Sequence, residues 1–202
     1  FGSMRPIWIA ASTHDGEEKQ ILVAFRELRR TYSDLLLLIV PRHPERFVPV
    51  AKISRRDGHK TVLRSELQGP VDEDVEVIIA DSMGELLKLY AASDVAVVGG
   101  SLVPVGGHNV LEACAVGLPV IFGPYMHNFD EISQLTLDRH AGKQVATIPE
   151  LVAAVTTYLG DANLRFETGE KGKKLVLQNR GALEHTSELI FALAENTCAG
   201  AD

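Results

Sequence analysis

Val98-Gly-Gly-Ser-Leu-Val-Pro-Val-Gly-Gly-His-Asn-Val-Leu-Glu-Ala-Cys-Ala-Val-Gly-Leu-Pro-Val-Ile-Phe-Gly-Pro124 reads as strand, glycine loop, helix, strand and loop. A glycine-rich turn that feeds a helix N-terminus is a ready anion site, because free backbone N–H groups and the positive end of the helix dipole face the same way. Glu112 follows within the helical segment and offers a carboxylate to hydroxyl groups. Anion site and hydroxyl acceptor together point to a nucleotide or nucleotide-sugar pocket.

Outward from this stretch, short apolar runs alternate with helical periodicity. Strands are expected at Ile7–Ala11, Leu35–Val40, near Thr61–Leu63, and at Val75–Ala80, Val95–Val98, Pro119–Phe122 and Gln144–Thr147. Glu17–Tyr32 places Ile21, Leu22, Phe25 and Leu28 on one helical face. Further helices are expected at Pro44–Arg55, Gly84–Ala92, Asn109–Val116, Asn128–Leu137, Pro149–Tyr158, Leu164–Gln178 and Leu183–Glu195. Strands alternating with helices predict an α/β fold, a Rossmann-like parallel sheet sandwiched by helices. Ligands of such sheets sit beyond the carboxyl ends of the strands, so the loops there are the candidate site.

The chain has 202 residues, 46% hydrophobic and 23% charged, the balance of an ordinary globular domain. Phe1-Gly2-Ser3 before Met4 reads as the remnant of an expression tag, leaving 5–202 as one domain. No signal peptide is read, and Leu35–Val40 is too short to span a bilayer. A net charge of −7 argues against a nucleic-acid partner. Cys114 and Cys198 make no disulfide framework, and Cys114, between Ala113 and Ala115, reads as a buried free thiol. The seven histidines are scattered, without HxxxH or CxxC spacing, so no metal site is expected. There is no phosphate-binding Walker loop, and Ser101 lacks the GxSxG setting of a hydrolase nucleophile.

Each candidate residue has a plainer alternative. In Gly106-Gly107-His108-Asn109-x-x-Glu112, a phosphate would lie on the loop and a ribose on Glu112; alternatively Asn109 and Glu112 form a capping box. Arg42 leaves a buried strand at the ligand edge, where a guanidinium clamps phosphate or carboxylate; Arg46, a turn later, reads as a surface arginine. Ser12 or Thr13 would cap the helix that follows, with Glu17 and Glu18 as ordinary first-turn acids and His14 left for a substrate contact. Asp81 or Ser82 would cap the next such helix, while the backbone at Met83-Gly84 reaches a base edge. Asn128 with Glu131 makes a second possible capping box, in a loop that could line a sugar pocket.

These motifs together resemble one family. Trp8-Ile-Ala-Ala-Ser-Thr-His-Asp-Gly-Glu-Glu18, Pro41-Arg-His-Pro-Glu-Arg-Phe47, Asp81-Ser-Met-Gly-Glu85, Val98-Gly-Gly-Ser101 with Gly106-Gly-His-Asn-x-Leu-Glu112, and Gly123-Pro-x-x-x-Asn128-Phe129 are similar to the bacterial 3-deoxy-D-manno-octulosonic acid (Kdo) transferases of lipopolysaccharide assembly. The resemblance implies one half of a GT-B glycosyltransferase, the C-terminal, donor-binding half. It implies CMP-Kdo as donor, lipid A precursor as acceptor, inversion at the anomeric carbon and no cofactor or metal. The general base, the acceptor site and the contact with the cytoplasmic face of the inner membrane would belong to the N-terminal half, leaving this domain soluble and inactive alone. The donor residues so implied are Arg42, Met83, Gly84, Ser101, Gly106, Gly107, His108, Asn109 and Glu112, with Ser12, His14 and Asn128 beside them. The looser glycine-and-glutamate pattern also fits a UDP-sugar transferase, an epimerase, or a nucleotide-binding module without chemistry.

Overall fold

The structure, a computed structural model, describes residues 5–179. Seven parallel strands form one sheet in the order β3-β4-β2-β1-β5-β6-β7. They are β1 (Ile7–Thr13), β2 (Leu36–Pro41), β3 (Thr61–Leu63), β4 (Val77–Ile79), β5 (Val95–Val98), β6 (Val120–Phe122) and β7 (Gly142–Gln144). The central strands are continuous apolar runs because both faces of the sheet are covered. Trp8 and Ala10 of β1, with Leu37 and Ile39 of β2, face one core layer; Ile9, Ala11, Leu36 and Leu38 face the other.

The first layer is closed by α1 (Glu17–Leu28), α2 (Phe47–Arg56) and α6 (Ile148–Gly160). The second is closed by α3 (Leu86–Ala91) and α4 (Leu111–Ala115), with α5 (Asp130–Asp138) packed against it. A final helix over 162–179, α7, buries a stripe at Thr168, Gly169, Gly172 and Leu175. Its approach is close: a Cβ on Gly169 would stand 1.9 Å from the Gly117 carbonyl oxygen. Among the described residues no helix is long and apolar enough to cross a membrane.

The chain leaves β1 toward β2 on one side and returns through α3 to β5 on the other. The carboxyl ends of β1 and β5 therefore flank the switch point, where a doubly wound sheet opens a crevice.

Several boundaries differ from expectation, each for a local reason. The last strand is Gly142–Gln144, not Gln144–Thr147, because Thr147 caps α6, its hydroxyl accepting from the Glu150 N–H. The expected Pro44–Arg55 helix is a 3₁₀ turn, Pro44–Arg46, running into α2. Helix α1 ends at Leu28 in backbone turns through Tyr32. The proposed tag remnant at 1–4, the expected helix Leu183–Glu195, and Cys198 lie outside the described residues.

Candidate functional site

A cleft of ≈ 340 Å³ opens at the carboxyl edge of the sheet. Of the residues singled out by the sequence, Ser12, Arg42, Met83, Gly84, His108, Asn109 and Glu112 line it. Arg42 is placed by the end of β2, where its backbone N–H donates to the Thr13 carbonyl at 3.0 Å. Its guanidinium is exposed and pairs with no carboxylate among the described residues. Glu112 is exposed in the first turn of α4. The Asn109 side chain accepts from the Leu111 N–H at 3.0 Å, so it steadies the entry to α4 without forming the capping box with Glu112. Among the described residues the backbone N–H groups of His108 and Asn109 find no internal acceptor.

Apolar walls complete the cleft: Val40, Pro41, Phe47, Leu86, Tyr90 and Phe129, with Ser82 between them. These went unread in the sequence because apolar residues beside a strand look like core. Tyr90 belongs to both, its ring packed in the second layer and its edge on the cleft. Burial holds its hydroxyl well above the ordinary phenol range.

Other expected site residues stand elsewhere. Ser101 is fully buried; its hydroxyl donates to the Val98 carbonyl at 2.5 Å and accepts from the Gly123 N–H at 2.8 Å. It ties the end of β5 to the loop after β6 and does not face the cleft. Gly106 and Gly107 are buried against the loop after β6. A Cβ on Gly106 would fall 2.0 Å from Asn128 Nδ2, and φ there is +115°, so close packing as well as backbone shape demands glycine. Asn128 caps no helix: its amide donates to the Val105 carbonyl at 3.3 Å, and α5 begins two residues later. Nor do Ser12 or Thr13 cap α1, whose N-cap is Gly16. Asp81 accepts from the Ser65 N–H at 2.8 Å, and Ser82 donates to Glu85, so neither caps α3.

The first turn of the glycine loop, Gly99-Gly100-Ser101, is filled from within. Its backbone donors are already taken by an internal anion, Glu17. The sequence reads Glu17 and Glu18 as ordinary first-turn acids, and both stand in the first turn of α1, but buried. Glu18 accepts from Thr13 Oγ1 and pairs with Arg46 at 2.9 Å, which accounts for Arg46 as a structural arginine. An external anion at this edge therefore has the second turn, at His108 and Asn109, together with Arg42.

Three of the histidines, His14, His43 and His108, meet in space. His14 and His108 meet edge to edge with their ring planes 13° apart and Nε2 to Nε2 at 2.8 Å, and His43 meets His14 edge-on at 5.3 Å between centroids. Such a contact needs one ring as donor and the other as acceptor, so at least one imidazole is neutral. Burial, then His14 and Arg42, push His108 down to about 4. Burial and the neighbouring His43, Arg42 and Arg46 lower His14 as well. His14 reaches the cleft through His108 and does not line it. Among the described residues no group of three His, Cys, Asp or Glu side chains is arranged to hold a metal ion.

Comparison with known proteins adds to this geometry. Residues 14–175 match the Glycosyl transferases group 1 family. A 3-deoxy-D-manno-octulosonic acid transferase of Haemophilus influenzae is 44% identical over 187 residues, covering 92% of this chain and 44% of that protein. The transferase of the same description from Aquifex aeolicus is 40% identical, over 83% of this chain and 45% of its own length. The chain thus spans less than half the length of these relatives. Among solved structures, the C-terminal CMP-Kdo binding domain of WaaA from Acinetobacter baumannii superposes with a TM-score of 0.81 at 34% identity, over 86% of this chain and 90% of that one.

Proposed function

The chain belongs to the Glycosyl transferases group 1 family, in the branch formed by the C-terminal domains of the Kdo transferases, and from that premise we propose that its cleft binds CMP-Kdo as the donor of an inverting transfer. One observation carries the reading: Arg42, Glu112 and the turn at His108 and Asn109, whose backbone N–H groups have no internal acceptor among the described residues, line a single cleft with apolar walls. Cytosine fits between the apolar walls near Met83-Gly84. The ribose hydroxyls donate to Glu112. The phosphate lies on Arg42 and the N–H groups of His108 and Asn109. As the glycosidic bond breaks, CMP departs with added negative charge on its phosphate, and fixed donors aimed at that charge lower the barrier.

In the whole protein the acceptor is lipid A precursor. It is held with the general base and the contact to the cytoplasmic face of the inner membrane by the half outside this chain. No metal takes part, so a chelator leaves CMP affinity unchanged. This chain alone binds nucleotide and transfers no Kdo.

Calorimetric titration with CMP, UDP and ADP tests the donor reading. CMP is expected to bind most tightly. Glu112→Ala or Arg42→Ala should each weaken it about ten- to hundredfold, the scale of one charge-assisted hydrogen bond. Preference for UDP or ADP would replace the reading with another nucleotide sugar.

A further inference from the structure

We propose that Glu17 is the positioning residue of this cleft: its buried carboxylate fixes the turns after β1 and β5 so that the His14 imidazole is held against His108. The inference rests on the donor-site reading only for what the cleft binds.

Glu17 is fully buried, and no lysine or arginine pairs with it among the described residues. Its charge is met by backbone donors instead. Oε2 accepts from the N–H of His14 and of Gly100, both at 2.8 Å. Oε1 accepts from the N–H of Ser101 at 3.1 Å and of Leu102 at 2.9 Å. Two oxygens thus take four bonds, the capacity of a carboxylate. The donors come from turns on opposite sides of the switch point, more than 80 residues apart in the chain.

The geometry continues from these bonds to the imidazoles. His14 is held through its own N–H. The carbonyl of Gly100, whose N–H shares the same Oε2, accepts at 2.8 Å from the N–H of Gly107, the residue before His108. One carboxylate oxygen therefore stands one bond from His14 and two from the backbone that carries His108. Direct backbone contact reinforces it, the Gly99 N–H donating to the Ala11 carbonyl at 2.7 Å. An unpaired buried charge is an expensive way to add stability. What it supplies here, and an apolar side chain could not, is a planar four-point clamp joining two loops.

Glutamine has the same shape but one acceptor oxygen. In Glu17→Gln the amide NH₂ must face two backbone N–H donors, either those of Ser101 and Leu102 or those of His14 and Gly100, so the clamp keeps only two of its four bonds and sets a donor against donors. The test is made first without ligand, by ¹⁵N–¹H NMR of the imidazoles. The wild-type chain should show an Nε2 proton shared between His14 and His108. Folded Glu17→Gln should lose that signal, with His108, which faces His14, His43 and Arg42, titrating closer to the ordinary histidine range. Glu18→Gln disturbs a buried carboxylate in the same turn of α1. It should lower the melting temperature yet leave the imidazole signal intact. Should Glu17→Gln fail to fold, Glu17→Asp carries the same test, since it keeps the charge but is one methylene short of spanning both turns. Retention of the paired signal in a folded Glu17 variant, or its loss in Glu18→Gln, would overturn the proposal. CMP titration of the same proteins separates the two ideas: loss of the signal with CMP affinity down tenfold or more supports both. Loss of the signal in a chain that never bound CMP supports the clamp and removes the donor reading.

Discussion

At the scale of single residues, hydrogen-bond capacity separates structural from ligand-facing groups. The Ser101 hydroxyl both donates and accepts within the fold. Ser101→Ala should therefore cost about 1–3 kcal/mol, the penalty for an orphaned buried N–H at Gly123. CMP affinity should change less than twofold, measured by denaturant unfolding and calorimetry side by side. His108 gives a signed pH dependence. Its pKa in the fold is about 4, below the ordinary 6.5, so the unfolded chain takes up its proton first as pH falls. The stability it contributes is complete above about 6.5 and is withdrawn between there and about 4. Melting temperature plotted against pH should slope downward across that window on acidification, and the slope should flatten in His108→Gln.

Among the elements, β1 and β5 approach closely beside the site. A Cβ on Gly99 would lie 2.5 Å from the backbone carbonyl oxygen of Ser12, an atom with no side-chain freedom to yield. Gly99→Ala is expected to destabilise by roughly 2–4 kcal/mol and to weaken CMP binding with it, because strain there displaces the His14 turn. Helix α6 offers the contrast. Leu151 is buried in the first core layer, away from the cleft. Leu151→Ala should cost about 2–5 kcal/mol through the cavity it leaves, with CMP affinity retained in the folded fraction. Existence and order of the elements were legible because β2 is an unbroken apolar run and α1 repeats at helical spacing. Boundaries were less so where a polar residue could serve two purposes. Thr147 was read as strand but caps α6; Asn128 was read as a possible cap but fastens a loop, while Asn109 accepts from the first helical N–H of α4 without the capping box.

For the molecule as a whole, the two core layers share every central strand, which makes the described fold one cooperative unit. Trp8, the single tryptophan, is fully buried in the first layer. Its fluorescence and far-ultraviolet circular dichroism should therefore trace coincident unfolding curves; a separate early fluorescence transition would show the layers uncoupled. The sequence by itself determined the α/β alternation, the parallel sheet and the edge where the site lies, because apolar periodicity and glycine turns are local signals. It also contained Arg42, Met83 and Gly84 in loops past strand ends, and His108, Asn109 and Glu112 at the turn into α4. Only the tertiary structure decided which of these face one cleft and which are turned inward. It alone shows that Glu17 fills the glycine turn, that three distant histidines meet, and that Ser101 and Gly106-Gly107 serve packing. Those facts depend on which loops the sheet order brings side by side, and strand order is a property of long-range pairing that no short window of sequence contains.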